Sequence, residues 1–298
     1  MRTAVSSFVT HRGHRIACLS YPNPAATALP VVWVHGLTAS YRFWEVAMYP
    51  EVWRERAWYS VSLPLHYPSS FTEAASVDGL TRHLDEQLFA ELLAEPIRAL
   101  LPEGKFHLVG YSLGAFSCLN YTAKYPQRVA SVISIGGFMT GRARGLEGVL
   151  QFFAQGNLVR RALFHTGWWI LQRHVVFLKL ATLFYARRWR RLLQYPLLDP
   201  TLEAIFPDVR QHPIGGQQAL FRYLLDMNLM DEIDDIRTPV CVIAGDRDPI
   251  IPYAHQREYA ARLQAGHFVR LPGVGHVAFA EAPEVFHRTV VNWLAAHD

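Results

Sequence analysis

Short apolar, β-branched runs recur along the chain, separated by longer stretches in which apolar positions return every three to four residues. The runs fall at 31–34, 58–63, 106–109, 129–135, 240–244 and 267–271. Most are continuous rather than alternating, as in strands buried on both faces. Helical stretches lie between them, at 81–101, 113–125, 253–263 and 283–295. This alternation predicts an α/β fold, with a mostly parallel central sheet covered by helices on both faces. The first 22 residues read as two strands around a tight turn at Gly13, and so as an antiparallel pair at one edge.

The rhythm breaks between 137 and 237. No strand pattern occurs there, and helices are predicted at 146–155, at 158–186 in one or two pieces, at 187–194 and at 214–227. Roughly a hundred residues between two strands of one sheet is too long for a loop. The expected organisation is a core of residues 1–136 and 238–298, with 137–237 inserted as a helical lid over the C-terminal edge of the sheet.

Composition narrows the class. The 298 residues are 51% hydrophobic and 18% charged, a globular balance on the apolar side. Cys18, Cys118 and Cys241 are sparse, odd in number and set in apolar stretches, which argues against a disulfide framework and fits a reducing compartment. No His/Cys spacing suggests a metal, and no cofactor motif occurs. The N-terminus lacks the apolar run and cleavage site of a secretory leader. The most apolar stretch, 163–186, is interrupted by Arg173, His174 and Lys179, which disfavours a membrane span. A cytoplasmic protein is the resulting expectation.

Charge sets the lid apart. Residues 137–200 hold ten basic and two acidic side chains, the acids being Glu147 and Asp199. That net +8 sits in a chain of net +4. Such a surface suits peripheral contact with an anionic membrane or with an acidic carrier protein, although a solvated helix face has the same pattern. Nucleic acid has no supporting motif, and the spacing of Gly141, Gly145 and Gly148 is not a phosphate loop.

The sharpest chemical motif is Gly110-Tyr111-Ser112-Leu113-Gly114, a G-x-S-x-G. It follows the apolar run 106–109 and opens a helical stretch, the strand–turn–helix context the motif needs. Small residues flank the serine because any Cβ there would clash. The turn lifts the hydroxyl clear and points the Leu113 amide to the same side. A serine hydroxyl is a weak nucleophile until a base takes its proton. His276, in Gly273-Val274-Gly275-His276 between the last strand and the last helix, is the candidate base, with His35, His107, His174 and His255 as competitors. Asp248, in Gly245-Asp246-Arg247-Asp248-Pro249, is the candidate for holding the imidazole in the right tautomer, with Asp246 as rival. Leu37, after the run 31–34 and Gly36, is the candidate second backbone donor for an oxyanion alongside Leu113. His35, Gly36, Tyr111 and His66 are candidate pocket residues.

These elements, in the order Ser, Asp, His, resemble the α/β-hydrolase superfamily along nearly the whole chain, and its capped carboxylesterase branch in particular. The matching residues are His35-Gly36, Gly110 to Gly114, Gly245 to Pro252, and Gly275-His276 followed by Glu281 and Pro283. The resemblance implies that Asp248 carries the catalytic acid. One stretch departs from the pattern. Relatives carry Asp-x-Pro-Gly-His-Gly-x-Ser where this chain has Ser62-Leu63-Pro64-Leu65-His66-Tyr67-Pro68-Ser69, so Leu65 and Tyr67 stand in place of glycines and should stiffen that loop.

A serine at the elbow disfavours the branches that use a carboxylate there, the dehalogenases and epoxide hydrolases. The leading expectation is hydrolysis of a carboxylic ester of an apolar substrate through an acyl-enzyme. It is favoured by lid aromatics such as Phe152, Phe153, Phe164, Trp168, Trp169 and Phe177, although lid packing also accounts for most of them. Lactonase, thioesterase, acyltransferase and C–C hydrolase chemistry use the same three residues. A non-catalytic binder on the same fold is the reading from another class.

Overall fold

A computed structural model describes residues 4–52, 54–73 and 76–298. Its strands are β1 (Val5–His11), β2 (His14–Tyr21), β3 (Val31–Val34), β4 (Trp58–Val61), β5 (Ser70–Phe71), β6 (Phe106–Tyr111), β7 (Val129–Ile135), β8 (Val240–Gly245) and β9 (Gly266–Leu271). They form one sheet in the order β1-β2-β4-β3-β6-β7-β8-β9, with β5 on β2. The β1–β2 hairpin is antiparallel, as is β2 against β4, and every pair from β4–β3 to β8–β9 is parallel. The middle strands β3, β6 and β8 are buried at every position, which is why their sequences are continuous apolar runs.

The helices are α1 (Phe43–Val46), α2 (Val77–His83), α3 (Glu86–Leu100), α4 (Leu113–Lys124), α5 (Gly145–Gln155), α6 (Leu158–Leu171), α7 (Val175–Leu183), α8 (Trp189–Gln194), α9 (Leu198–Val209), α10 (Ile214–Tyr223), α11 (Tyr253–Arg262), α12 (Ala278–Glu281) and α13 (Pro283–Ala296). Six of them, α5 to α10, lie between β7 and β8.

Several elements differ from the expectation. The helix predicted over 81–101 is two helices, because Leu84 is extended and the Asp85 carboxylate caps α3 by accepting the Leu88 amide at 2.6 Å. The stretch 158–186 is two helices, one of the two forms expected, with the break where His174 Nδ1 accepts the Val176 amide and starts α7. Helix α9 is unforeseen. Its two prolines argue against a helix, but Pro200 occupies the first turn, where no intrahelical N–H is needed, and Pro207 lies near the end.

Candidate active site

At the centre of the sheet β6 delivers a buried chain into a sharp turn. Ser112 has φ 54° and ψ −117°, and α4 begins at the next residue. A non-glycine residue held there costs on the order of 1–3 kcal/mol, so the surroundings must impose it. They do so by close packing. A Cβ on Gly110 would stand 2.3 Å from the Gly114 carbonyl oxygen, and one on Gly114 would stand 2.3 Å from that of Val34. The Ser112 amide donates to the Ile135 carbonyl at 2.9 Å, which pins the turn to β7. The result is a buried hydroxyl at the wall of a cavity, with no hydrogen-bond partner among the described residues.

His276 lines the same cavity. Its Nδ1 lies 2.8 Å from Asp248 Oδ2, and its Nε2 is buried without a partner among the described residues. Asp248 is fixed in turn. Its Oδ1 accepts the amides of Ile250 and Ile251 at 2.8 and 3.0 Å, and Oδ2 accepts Gln256 Nε2 at 3.2 Å. Burial works against a charge on His276, but Asp248, with smaller contributions from Glu147 and Glu281, holds the imidazole pKa above its ordinary value of 6.5. The rival Asp246 is engaged elsewhere, with Arg270 and the Gly273 amide. The competing histidines are engaged too: His107 with Ser131 and Asp298, His174 at the start of α7, and His255 with the Met139 amide.

The turn after β3 faces the elbow. Leu37 and Ser112 both line the cavity, and the amides of Leu37 and Leu113 donate to no group among the described residues. Thr38, next to Leu37, sits at φ 58°, a strained setting for a β-branched residue. Two free amides beside one hydroxyl can receive a developing oxyanion.

Of the four pocket candidates, Tyr111 lines the cavity, but His35, Gly36 and His66 do not. His35 points behind the turn, where its Nδ1 donates to the Gly36 carbonyl and its Nε2 accepts the Leu63 amide. His66 stacks edge-on against His35 and His212, and its Nδ1 meets the Pro64 carbonyl. Burial pushes the His66 pKa down to about 4 and lowers those of His35 and His212, so this trio is neutral packing behind the turn after β3. Leu65 nonetheless keeps φ 61°, a conformation suited to the glycine it replaces.

The sequence profile described as the alpha/beta hydrolase fold matches residues 30–283. The chain belongs to the α/β-hydrolase family. Among curated relatives, this hydrolase is 27% identical over 279 residues to the dihydrolipoyllysine-residue acetyltransferase component of the acetoin cleaving system of Pseudomonas putida, covering 90% of the chain but 64% of that longer protein. It is also 27% identical over 285 residues to RutD of Escherichia coli, whose name carries a proposed carbamate hydrolase activity; that match covers 92% of the chain and 94% of RutD. Similar solved structures include a thermophilic esterase from Thermogutta terrifontis, with TM-score 0.69, 19% identity and 99% and 100% coverage of the two chains. An enol-lactonase from Burkholderia xenovorans gives TM-score 0.72, 16% identity and 97% and 100% coverage. At these identities the structures show the shared fold.

The hydrolase cavity, about 70 Å³, is mostly apolar, with Leu178, Leu198, Leu202, Ile205 and Phe279 in its walls. Sequence reasoning missed its one buried carboxyl. Glu147 of α5 lines the cavity together with Tyr185, whose hydroxyl interacts with both the Glu147 carboxyl and the Thr38 hydroxyl. Burial raises the Glu147 pKa, partly offset by His276 and Tyr185. The available signal was its isolation as an acid within a basic segment. Glu281, by contrast, stands in the matched motif, and its carboxylate accepts the amides of Arg187, Arg188 and Gly275.

Proposed function

We propose that the hydrolase cleaves a carboxylic ester of an apolar acid through an acyl-enzyme intermediate. Ser112 Oγ attacks the ester carbonyl, and His276 Nε2 takes the hydroxyl proton and then delivers it to the departing alcohol. Water repeats the sequence on the acyl-serine, with His276 again as base and then acid, and releases the carboxylic acid. Asp248 holds the ring with Nε2 free and stabilises the imidazolium. The amides of Leu37 and Leu113 bind the oxyanion. The α5–α10 insert acts as a lid over this chemistry.

The observation that carries this reading is the pairing of two buried, unpartnered atoms in one apolar cavity: the Ser112 hydroxyl on a strained elbow, and the Nε2 of an imidazole anchored from its other side. The apolar walls favour an ester of a hydrocarbon acid. The carbamate and lactone named for relatives are also acyl compounds open to the same attack.

A fluorophosphonate probe combined with p-nitrophenyl esters of graded chain length tests the proposal. Wild type should label, hydrolyse the longer acyl chains better than acetate, and lose both labelling and on the order of 10⁶ in turnover in Ser112→Ala. No labelling of the wild type, or labelling unchanged in Ser112→Ala, overturns it in favour of a binder or of a different nucleophile.

A further inference from the structure

Helices α6 and α7 are apolar on two sides. At about 100° per residue, the buried residues Phe164 and Trp168 of α6 mark one side, where both rings pack against Phe221. Val159, Leu163, Thr166 and Ile170 fall on the opposite side within an arc of about 60°, and all four are exposed. Helix α7 repeats the arrangement. Leu178 faces inward, while Val176, Phe177, Leu180 and, just past its end, Phe184 point to water. Leu158 is 84% exposed and Phe184 66%. A surface helix of a water-soluble domain needs one apolar stripe, not two. An exposed apolar face of this extent marks an interaction site.

Basic side chains stand at both ends of α6 and in α8. Arg160 lies over Phe152, Arg173 over Trp169 and Arg190 over Trp189, each guanidinium within 5.1 Å of the ring centroid. Among the described residues, the cations of 137–200 with a carboxylate partner are Arg161, with Asp78, and Lys179, with Asp199. Arg160, Arg173, Arg187, Arg190 and Arg191 are exposed cations available to an external anion.

A cavity of about 300 Å³ opens through this face. Exposed Ile170, Phe177, Leu180 and Phe184 line it, and it shares Thr38, Leu178, Thr182 and Tyr185 with the cavity at Ser112. The apolar face, the nearby arginines and the adjoining cavity call for one partner that offers hydrocarbon and anionic groups together.

We propose that the α6–α7 face docks on the surface of an anionic lipid bilayer, and that the second cavity admits substrate from the lipid toward Ser112. The exposed apolar side chains enter the acyl boundary and the arginines meet phosphate headgroups, the geometry of an interfacial helix pair. No helix among the described residues is long and apolar enough to cross a membrane, so the contact is peripheral. Docking stands on the α6–α7 surface alone; delivery of substrate to Ser112 also rests on the esterase reading.

Co-sedimentation with vesicles of phosphatidylcholine, alone or mixed equally with phosphatidylglycerol, tests docking without reference to catalysis. Wild type should bind the mixed vesicles well above the neutral ones, and high salt should reduce the difference. The variant Arg160→Gln/Arg173→Gln/Arg190→Gln should lose about fivefold in partition per charge on mixed vesicles and little on neutral ones. The variant Val159→Ser/Leu163→Ser/Trp169→Ser should lose at least about tenfold on both. Both variants should keep wild-type melting temperature and hydrolysis of soluble p-nitrophenyl acetate. Failure of wild type to hydrolyse that ester, with vesicle binding intact, sinks the esterase reading and leaves docking standing. Two results overturn docking: binding that neither variant weakens, or no vesicle binding by wild type, in which case a complex with a purified acidic acyl carrier protein or a self-associated dimer would name the occupant of the face instead.

Discussion

The carboxylate of Glu281 accepts the backbone amide of Arg188 at 2.6 Å, and so ties the last helical turn before α13 to the segment leading into α8. The same carboxylate takes the amides of Arg187 and Gly275, and the His276 amide donates to the Tyr185 carbonyl at 2.8 Å. The loop bearing His276 is therefore anchored to the α5–α10 insert by the buried Glu281 side chain together with the His276–Tyr185 backbone bond. In Glu281→Ala, amides of Arg187, Arg188 and Gly275 lose their acceptor, and each such loss is worth about 1–3 kcal/mol when buried. We expect a stability loss of about 2–5 kcal/mol in urea denaturation and a fall in kcat of about 10–100-fold, because a small displacement of a catalytic group is costly. Glu281→Gln keeps one acceptor oxygen and should recover part of both. Wild-type kcat in Glu281→Ala would show that the imidazole is positioned without this anchor.

Two aspartates two residues apart offer a clean contrast. Asp248→Asn removes the carboxylate that faces His276 Nδ1 and favours the wrong ring tautomer, so kcat should fall by about 10⁴. Asp246→Asn breaks a pairing with the exposed Arg270 and should leave kcat within about threefold. The pH profile carries the same information. His276 must be neutral to act as base, so kcat/KM should fall as pH drops through an imidazole pKa that Asp248 holds above 6.5. The residual activity of Asp248→Asn should show that acid limb moved to lower pH, since burial then acts on the ring without the carboxylate. An unmoved limb would assign the titration to another group.

What could be read from the residues alone follows from which interactions are local. Runs 31–34 and 129–135 coincide with β3 and β7, because a strand buried on both faces is mostly apolar and tolerates a polar residue such as Ser131 or Ser134 only where its hydroxyl is hydrogen-bonded. The elbow is legible because the close approach at Gly110 and Gly114 admits no side chain. His35 and His66 were misjudged as pocket residues because nearness to a motif in sequence does not say which way a ring points; both rings lie behind the turn after β3 and satisfy loop carbonyls and amides. Glu147 was passed over because a lone acid in a basic helical stretch looks like a solvated charge. Its burial depends on how α5 lies over the cavity, which no local pattern encodes.

Glu147 should leave a signature in stability. Burial raises its folded-state pKa above the ordinary 4.5, so the folded state holds the proton more tightly than the unfolded chain. This group therefore weakens stability progressively as pH rises from about 4.5 through the folded value. Glu147→Gln removes that dependence. Relative to wild type, the melting temperature of the variant should gain as pH rises above about 4.5 and should stop gaining once the folded-state value is passed. A difference that stays constant with pH would mean that Glu147 ionises in the fold as freely as in the unfolded chain.

Leu65 reverses the usual ranking of small substitutions. Its φ of 61° costs a leucine or an alanine roughly 1–2 kcal/mol but costs glycine nothing. Its side chain is buried beside Gly216, and its carbonyl accepts Gln217 Nε2 at 2.6 Å, so the backbone cannot relax without breaking that bond. Truncating a buried leucine typically costs about 2–5 kcal/mol. Leu65→Ala loses the packing and keeps the strain, whereas Leu65→Gly loses the packing and sheds the strain. Both variants should be less stable than wild type, with glycine the milder by about 1 kcal/mol, the reverse of their order at an ordinary buried site. Chemical denaturation of the two side by side decides it: alanine equal to or more stable than glycine would mean that the positive φ is not held in solution.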